Sequence, residues 1–365
     1  MIIRRWGRNA AKGWASSCLP KLAVVVCRLI LASTATQADQ PINLKIVGGL
    51  ASVSQYERLE KPFWEQRIRE LSDGRITAEI HPYDRSGLPG PEMLQMMRLG
   101  VVPFGTALLA VVAGDEPELN VVDLPGLNPD MPTLRKTVGA YRPRLQELLR
   151  TRFGVELLAI YTYPAQVIFC AKPFTGLSDL TGRKVRTSSV GQSEMMTALG
   201  AVPVITPFAE MVSAIRAGVV DCAITGTLSG NEIGLSEVTG FIYPMAISWG
   251  LSFFGANLAA WEALPSDLQA ILRKQIEGLE RDIWIAAERE TADGLACDTG
   301  RAGCPNGHHL SQMRLVPITP EDEARRQRLL VQSVLPGWIQ RCGTDCIKLW
   351  NQNLAPTLGL PVSAD

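Results

Sequence analysis

Two eleven-residue segments repeat one another 118 positions apart. Glu92-Met93-Leu94-Gln95-Met96-Met97-Arg98-Leu99-Gly100-Val101-Val102 and Glu210-Met211-Val212-Ser213-Ala214-Ile215-Arg216-Ala217-Gly218-Val219-Val220 agree at six positions. Each reads as a short helix closed by glycine and followed by an apolar strand. A match this short also arises from repeated helix grammar, but the flanking order repeats as well. Before the first copy come a strand (Leu44 to Gly49) and a helix (Tyr56 to Leu71). That helix turns Phe63, Trp64, Ile68 and Leu71 inward and ends at Asp73-Gly74. A strand (Ile76 to His81) follows, then the helix Pro91 to Leu99 and a strand from Val101. Around the second copy, Lys184 to Thr187 is β-compatible, Ser193 to Leu199 is helical until Gly200, and Val202 to Ile205 reads as a buried strand. Phe208, Met211, Val212 and Ile215 share a helix face, with Thr206 as N-cap and Pro207 in the first turn, before a strand over Val219 to Thr225.

Strand–helix alternation of this kind implies parallel sheets. The repeat therefore predicts an α/β chain of two similar β-α-β-α-β lobes facing a cleft, the two-lobed periplasmic-binding-protein (Venus-flytrap) fold. The apolar strand Glu156 to Tyr163 carries the chain into the second lobe, and Ala246 to Asn257 returns it through Trp249-Gly250-Leu251. Two crossings make hinge strands. Lobe I is expected over 39–163 with part of 252–295, and lobe II over 164–251 with part of 296–365. Asn120 to Pro132 reads as a loop at the first lobe's cleft edge, and Thr133 to Phe153 as a helix interrupted near Pro143. From Ser266, paired with Gln269 in a capping box, a helix with Leu268, Ile271, Leu272, Ile276, Leu279 and Ile283 on one stripe runs to Asp293. At 1.5 Å per residue it is about 40 Å long, enough to span both lobes.

In parallel sheets, ligand groups gather at the carboxyl ends of the strands, and Arg186 falls at such an end. A guanidinium there grips a carboxylate through two parallel charge-assisted bonds; the bland alternative is a surface ion pair. Tyr161, Tyr163 and Trp249, beside the crossings, are candidate cleft aromatics, with core packing as the alternative. Gln166 and Asn231 are candidates as polar side chains near the expected cleft edges.

The stretch Asp179-Leu180-Thr181-Gly182-Arg183-Lys184-Val185-Arg186, then Leu199-Gly200-Ala201-Val202-Pro203-Val204, then Phe208-Ala209-Glu210 through Gly218-Val219-Val220-Asp221, resembles the DctP-type solute-binding proteins of TRAP transporters. The resemblance extends from about Leu44 to the end, Trp350-Asn351-Gln352 included, and covers the long helix after Trp261-Glu262-Ala263-Leu264-Pro265. It implies that Arg186 forms the salt bridge to a substrate carboxylate and that Phe208 and Thr225 stand at the site. Many members carry Asn where this chain has Thr225, a departure that bears on whether the ligand is the usual sugar acid or dicarboxylate. The implied function is an extracytoplasmic subunit that binds a small organic acid and delivers it to integral-membrane TRAP permease subunits, without cofactor or catalysis, as a monomer.

Charge and cysteines bear on where such a chain works. Residues 1–38 hold six basic residues (Arg4, Arg5, Arg8, Lys12, Lys21, Arg28) and no acid. With Lys21 to Ala35 mostly apolar and Thr36-Gln37-Ala38 small, this reads as a secretory signal peptide and a periplasmic address, an uncleaved anchor being the alternative. The whole chain has 36 basic and 36 acidic residues, so residues 39–365 are mildly acidic and carry no basic run suited to nucleic acid. In an oxidising compartment, Cys297 with Cys304 and Cys342 with Cys346 are short-loop disulfide candidates. Cys297, Cys304, His308 and His309 also admit a zinc reading, but the cysteine gap exceeds the usual one. Cys170 and Cys222, on expected strands, read as buried inert thiols. Only three histidines are present, two of them adjacent in the cysteine loop, which leaves a cysteine nucleophile without a base. Two rival functions remain: a secreted bilobal α/β enzyme acting on a small organic acid, and a ligand-sensing binding protein.

Overall fold

The structure is a computed structural model that describes residues 40–88, 90–114, 116–305 and 308–363. The expected signal peptide lies outside the described residues.

Two sheets organise the chain. The first combines β1 (Ile42–Gly48), β2 (Ile76–Pro82), β3 (Phe104–Leu108) and β4 (Val155–Tyr161) with β10 (Ser252–Asn257). The second combines β5 (Gln166–Cys170), β6 (Lys184–Thr187), β7 (Val202–Ile205), β8 (Cys222–Gly226), β9 (Phe241–Ser248) and β11 (Arg314–Leu315). Their orders are β2-β1-β3-β10-β4 and β11-β9-β5-β8-β6-β7. In each sheet three parallel strands place the first between the other two: β1 pairs with β2 and β3, and β6 with β7 and β8. In each, an antiparallel strand reached through a crossing then pairs with the third, β10 with β3 and β5 with β8. The chain is therefore two-lobed and α/β. The eleven-residue repeat marks the same place in both lobes. Met93–Arg98 and Met211–Arg216 are the paired helices, and Gly100 (φ 74°) and Gly218 (φ 69°) close them in a left-handed conformation that costs glycine little.

The long helix runs from Ser266 to Asp298, 33 residues, so it is about 50 Å long. Leu268, Leu272, Ile276, Leu279 and Ile283 are buried with Trp64, Phe254 and other residues of the first lobe's core. Farther along, Thr227 Oγ1 donates to the Glu290 and Thr291 carbonyls, and Ala165 N–H donates to Thr291 Oγ1 at 3.0 Å. One rigid element thus touches both lobes. The closest approach is at Gly294, where a Cβ would stand 2.2 Å from the Leu228 backbone nitrogen.

Several local expectations give way to tertiary context. Val202 and Ile205 are 49 % and 62 % exposed, because β7 is the outer strand of its sheet rather than a buried one. Residues 55–71 are helical, with wide π-type turns, and bury Phe63, Trp64 and Ile68, but these turns rotate Leu71 outward. Pro143 sits inside an unbroken helix, Met131–Phe153. Strand β3 begins at Phe104 rather than Val101. Pro207, not Thr206, precedes the turn at Phe208. At the start of the long helix Ser266 makes no cap; Gln269 Nε2 instead donates to the Trp261 and Leu264 carbonyls. The stretch after Pro117 is not an open cleft loop, since Leu119 to Asn128 are all buried.

Three disulfides appear among the described residues. Cys297 is joined to Cys304 and Cys342 to Cys346. Cys170 is joined to Cys222 at an S–S distance of 2.04 Å, which corrects the reading of two separate thiols. These two residues face each other in the β5–β8 register across 52 positions, a neighbourhood that no local spacing signals.

Gly294→Ala should destabilise the protein by about 1–3 kcal/mol through overpacking against Leu228. Urea unfolding reads this directly, and an unchanged midpoint would mean that the brace is looser than described. Peptide mapping of unreduced protein made under oxidising conditions should recover the Cys170–Cys222 cross-link along with the two short-loop ones. Alkylatable thiols at Cys170 and Cys222 in such protein would contradict it.

Candidate functional site: an arginine-anchored cleft between the lobes

The carboxyl ends of β1, β2, β3, β6, β7 and β8 converge on one cavity of about 580 Å³. Leu50, Tyr83 and Leu108 come from the ends of β1, β2 and β3; Arg186, Ile205 and Thr225 come from β6, β7 and β8. This is where parallel topology puts ligands, and the volume lies within the range of about 300–1,000 Å³ for small-molecule sites.

Arg186 is 3 % exposed. Its strand lies between β7 and β8, and main-chain carbonyls from beyond β7 and from β8 hold the guanidinium. Nε donates to the Thr206 carbonyl at 2.9 Å and Nη1 to the Ile224 carbonyl at 2.8 Å. Five N–H donors are available on a guanidinium, so these two contacts leave three, one on Nη1 and two on Nη2, on a residue that lines the cavity. Among the described residues no carboxylate forms an ion pair with it. Burial pulls the group down to about 10, still cationic at neutral pH. A buried, hydrogen-bonded, unpaired cation is costly unless an anion meets it.

Gln166, Tyr163, Thr225 and Phe208 also line the cavity. Gln166 Oε1 accepts from Gln192 Nε2 and from Ser248 Oγ, both at 2.8 Å. Ser188 N–H in turn donates to Gln192 Oε1 at 2.8 Å. This chain fixes the amide's sense and leaves the Gln166 NH₂ beside Gly250, which also lines the cavity. Tyr163 accepts from the Leu50 N–H through its hydroxyl, which keeps its proton for another partner. Gln192, Ser188 and Ser189 were not singled out from sequence. Ser189 caps the helix Val190–Ala198 by accepting from the Gln192 N–H, and a Ser-x-x-Gln pattern was the signal available for it.

Three sequence candidates fall outside the cavity lining. Trp249 is 3 % exposed, and its Nε1 donates to the Asn128 carbonyl at 2.9 Å. Asn231 is fully buried behind the long helix, where its amide donates to Asp298 Oδ1 and the His309 carbonyl and accepts from the His309 N–H. Tyr161 packs on Phe254 in the first lobe's core. Trp249 belongs instead to the hinge. Asp123, 2 % exposed, accepts from the N–H groups of Trp249, Gly250 and Leu251 at 2.7, 2.8 and 3.3 Å. Burial pushes this carboxyl up to about 7, against the pull of those three donors. The crossings are also joined to each other, Tyr163 N–H donating to the Trp249 carbonyl.

Trp249→Phe keeps an aromatic ring, at smaller volume, and removes one buried hydrogen bond. It should lower stability by about 1–3 kcal/mol and leave affinity for a bound carboxylate within about twofold. Calorimetry and urea unfolding on the same preparation separate the two effects. A large affinity loss at unchanged stability would put the ring back in the cleft.

Residues 50–296 match the model of bacterial extracellular solute-binding protein family 7, DctP. The C4-dicarboxylate-binding periplasmic protein of Rhodobacter capsulatus is 27 % identical over 275 residues, 73 % of this chain and 78 % of that one. An extracytoplasmic solute receptor of Bordetella pertussis binding pyroglutamic acid superposes with a TM-score of 0.74 at 22 % identity, over 86 % of this chain and 99 % of that one. A TRAP periplasmic solute-binding protein of Rhodoferax ferrireducens with bound malonate gives 0.69 at 21 % identity, over 87 % and 96 %. With two similar lobes, strand ends converging on a cleft that holds a buried arginine, and a family match over most of its length, the chain belongs to the DctP family of TRAP solute-binding proteins.

Proposed function

We propose that this protein is the extracytoplasmic receptor of a TRAP-type transporter, closing two lobes around a small carboxylate and handing it to a membrane permease. The observation that carries this reading is Arg186, a buried cation with no acidic partner among the described residues, aimed into the inter-lobe cavity. Its carboxylate partner supplies the missing charge, and a charged hydrogen bond of this kind contributes roughly 1.5–3 kcal/mol net. Gln166 and Thr225 offer polar contacts beside it, and Phe208 and Tyr163 close over the ligand's body. The relatives' named ligands, pyroglutamic acid, malonate and C4-dicarboxylates, are all carboxylates, which supports the reading.

In this account lobe I comprises 39–163 with part of 252–295, and lobe II comprises 164–251 with part of 296–365. Residues 1–38 direct export to the periplasm, where the protein acts as a monomer and performs no chemistry. Disulfides suit that oxidising compartment.

The test compares two substitutions. Arg186→Lys keeps the charge and loses the planar fork. Arg186→Ala leaves the ligand's carboxylate buried without a partner, and should weaken binding by about 2–5 kcal/mol. The lysine variant should lose less, with both variants folded by circular dichroism. Titration calorimetry uses the tightest carboxylate from a thermal-shift screen of mono- and dicarboxylates. Alanine-variant affinity within about threefold of the original, under half the roughly 1.4 kcal/mol of a tenfold change, would overturn the anchor.

A further inference from the structure

The two walls of the cleft differ in chemistry. Arg186 lies on the second-lobe wall, and Ser188, Ser189, Thr225 and Ser229 lie on the same wall. The first-lobe wall presents Leu50, Leu88, Pro91, Leu108 and Val111. Leu50, Val53 and Tyr163 form a buried apolar cluster there, with Tyr83, Leu108 and Phe208 packed against it. Among the described lining residues Arg186 is the one cation, while Asp84 on the first-lobe wall and Glu210 are acids. Asp84 is half-buried and accepts from the Ala51 N–H at 2.8 Å, which fixes it in place.

We propose that this cleft selects monocarboxylates whose remaining body is uncharged and largely apolar, and discriminates against dicarboxylates. The inference rests on Arg186 as the carboxylate anchor. A ligand whose carboxylate meets Arg186 extends its other end toward the first-lobe wall. An apolar body there leaves water for an apolar surface, which stabilises the complex in proportion to the area buried. A second carboxylate there finds no cation, has only the Tyr83 and Tyr163 hydroxyls to replace its hydration, and is repelled by the fixed like charge of Asp84. Specificity arises from that unfavourable contact as much as from the favourable one.

Matched pairs that share a carbon skeleton test this: hexanoate with adipate, and 3-(4-methylphenyl)propanoate with 4-(2-carboxyethyl)benzoate. Titration calorimetry at neutral pH should find each monocarboxylate at least about tenfold tighter than its dicarboxylate partner. Asp84→Asn, which keeps an acceptor for the Ala51 N–H, should tighten the dicarboxylates by about threefold or more and move the monocarboxylates by less than about twofold. Dicarboxylates that match or exceed their partners would overturn the selectivity and leave the anchor standing. So would 6-aminohexanoate binding more tightly than hexanoate, since Asp84 would then be a partner for a ligand cation. An Asp84→Asn variant with unchanged ratios overturns the repulsive role given to that wall. A panel in which neither series binds overturns the selectivity and the anchor together.

Discussion

The cleft of this protein holds one buried cation with no acidic partner among the described residues. Arg186 could have been an ordinary surface arginine; instead β6 places it between two neighbouring strands, 3 % exposed, with its guanidinium bonded to the Thr206 and Ile224 carbonyls. Main-chain carbonyls carry partial negative charge, enough to orient the group but not to neutralise it. Removing a cation from water costs several kcal/mol even after relaxation, and the fold bears that cost where the ends of β6, β7 and β8 meet the cavity. Rigid orientation also matters, because a guanidinium already fixed in its fork geometry loses little entropy when it binds.

The return crossing between the lobes reaches the same cavity as that arginine. Gly250 lines the cavity and also stands in the return crossing, with φ at 67°, and a Cβ there would sit 2.4 Å from Gln166 Nε2. Glycine therefore lets the crossing pass beside a cavity-facing amide. Asp123 gathers three successive N–H groups of the same crossing, so backbone that would otherwise be buried unpaired is satisfied by one carboxylate. The long helix braces the opposite side. Its contacts lie with the first lobe along Leu268 to Ile283 and with the second from Glu290 onward, at a contact only a glycine permits.

What could be read from the chain was local, and what could not depended on distant neighbours. Lys184–Thr187 is the strand expected, the Gly100 and Gly218 stops are in place, and the apolar stripe from Leu268 to Ile283 is buried. Arg186 could be placed at a strand end because a short β-compatible run and a following helix are enough to define one. The failures follow a single pattern. Trp249 beside a crossing and Asn231 after a strand each looked like a cleft residue, yet each is claimed by a partner more than 60 positions away, Asn128 for the first and Asp298 for the second. Cys170 and Cys222 meet only once the β5–β8 register is known. Val202 to Ile205 is apolar enough for a core, but sheet order makes it an edge. The Gln192 chain that orients Gln166 escaped notice because a glutamine inside a helix carries no signal of what it will face.

The central claim is that the cleft is organised around an arginine awaiting a carboxylate. A crystal structure of the protein soaked with a carboxylate that it binds in solution tests this most directly. The expected result is one carboxylate within about 2.7–2.9 Å of the Arg186 guanidinium nitrogens, with the Thr206 and Ile224 carbonyl contacts retained and the ligand's body toward Leu50 and Leu108. A ligand whose carboxylate sits elsewhere in the cleft, with Arg186 still bonded only to main-chain carbonyls, would contradict it.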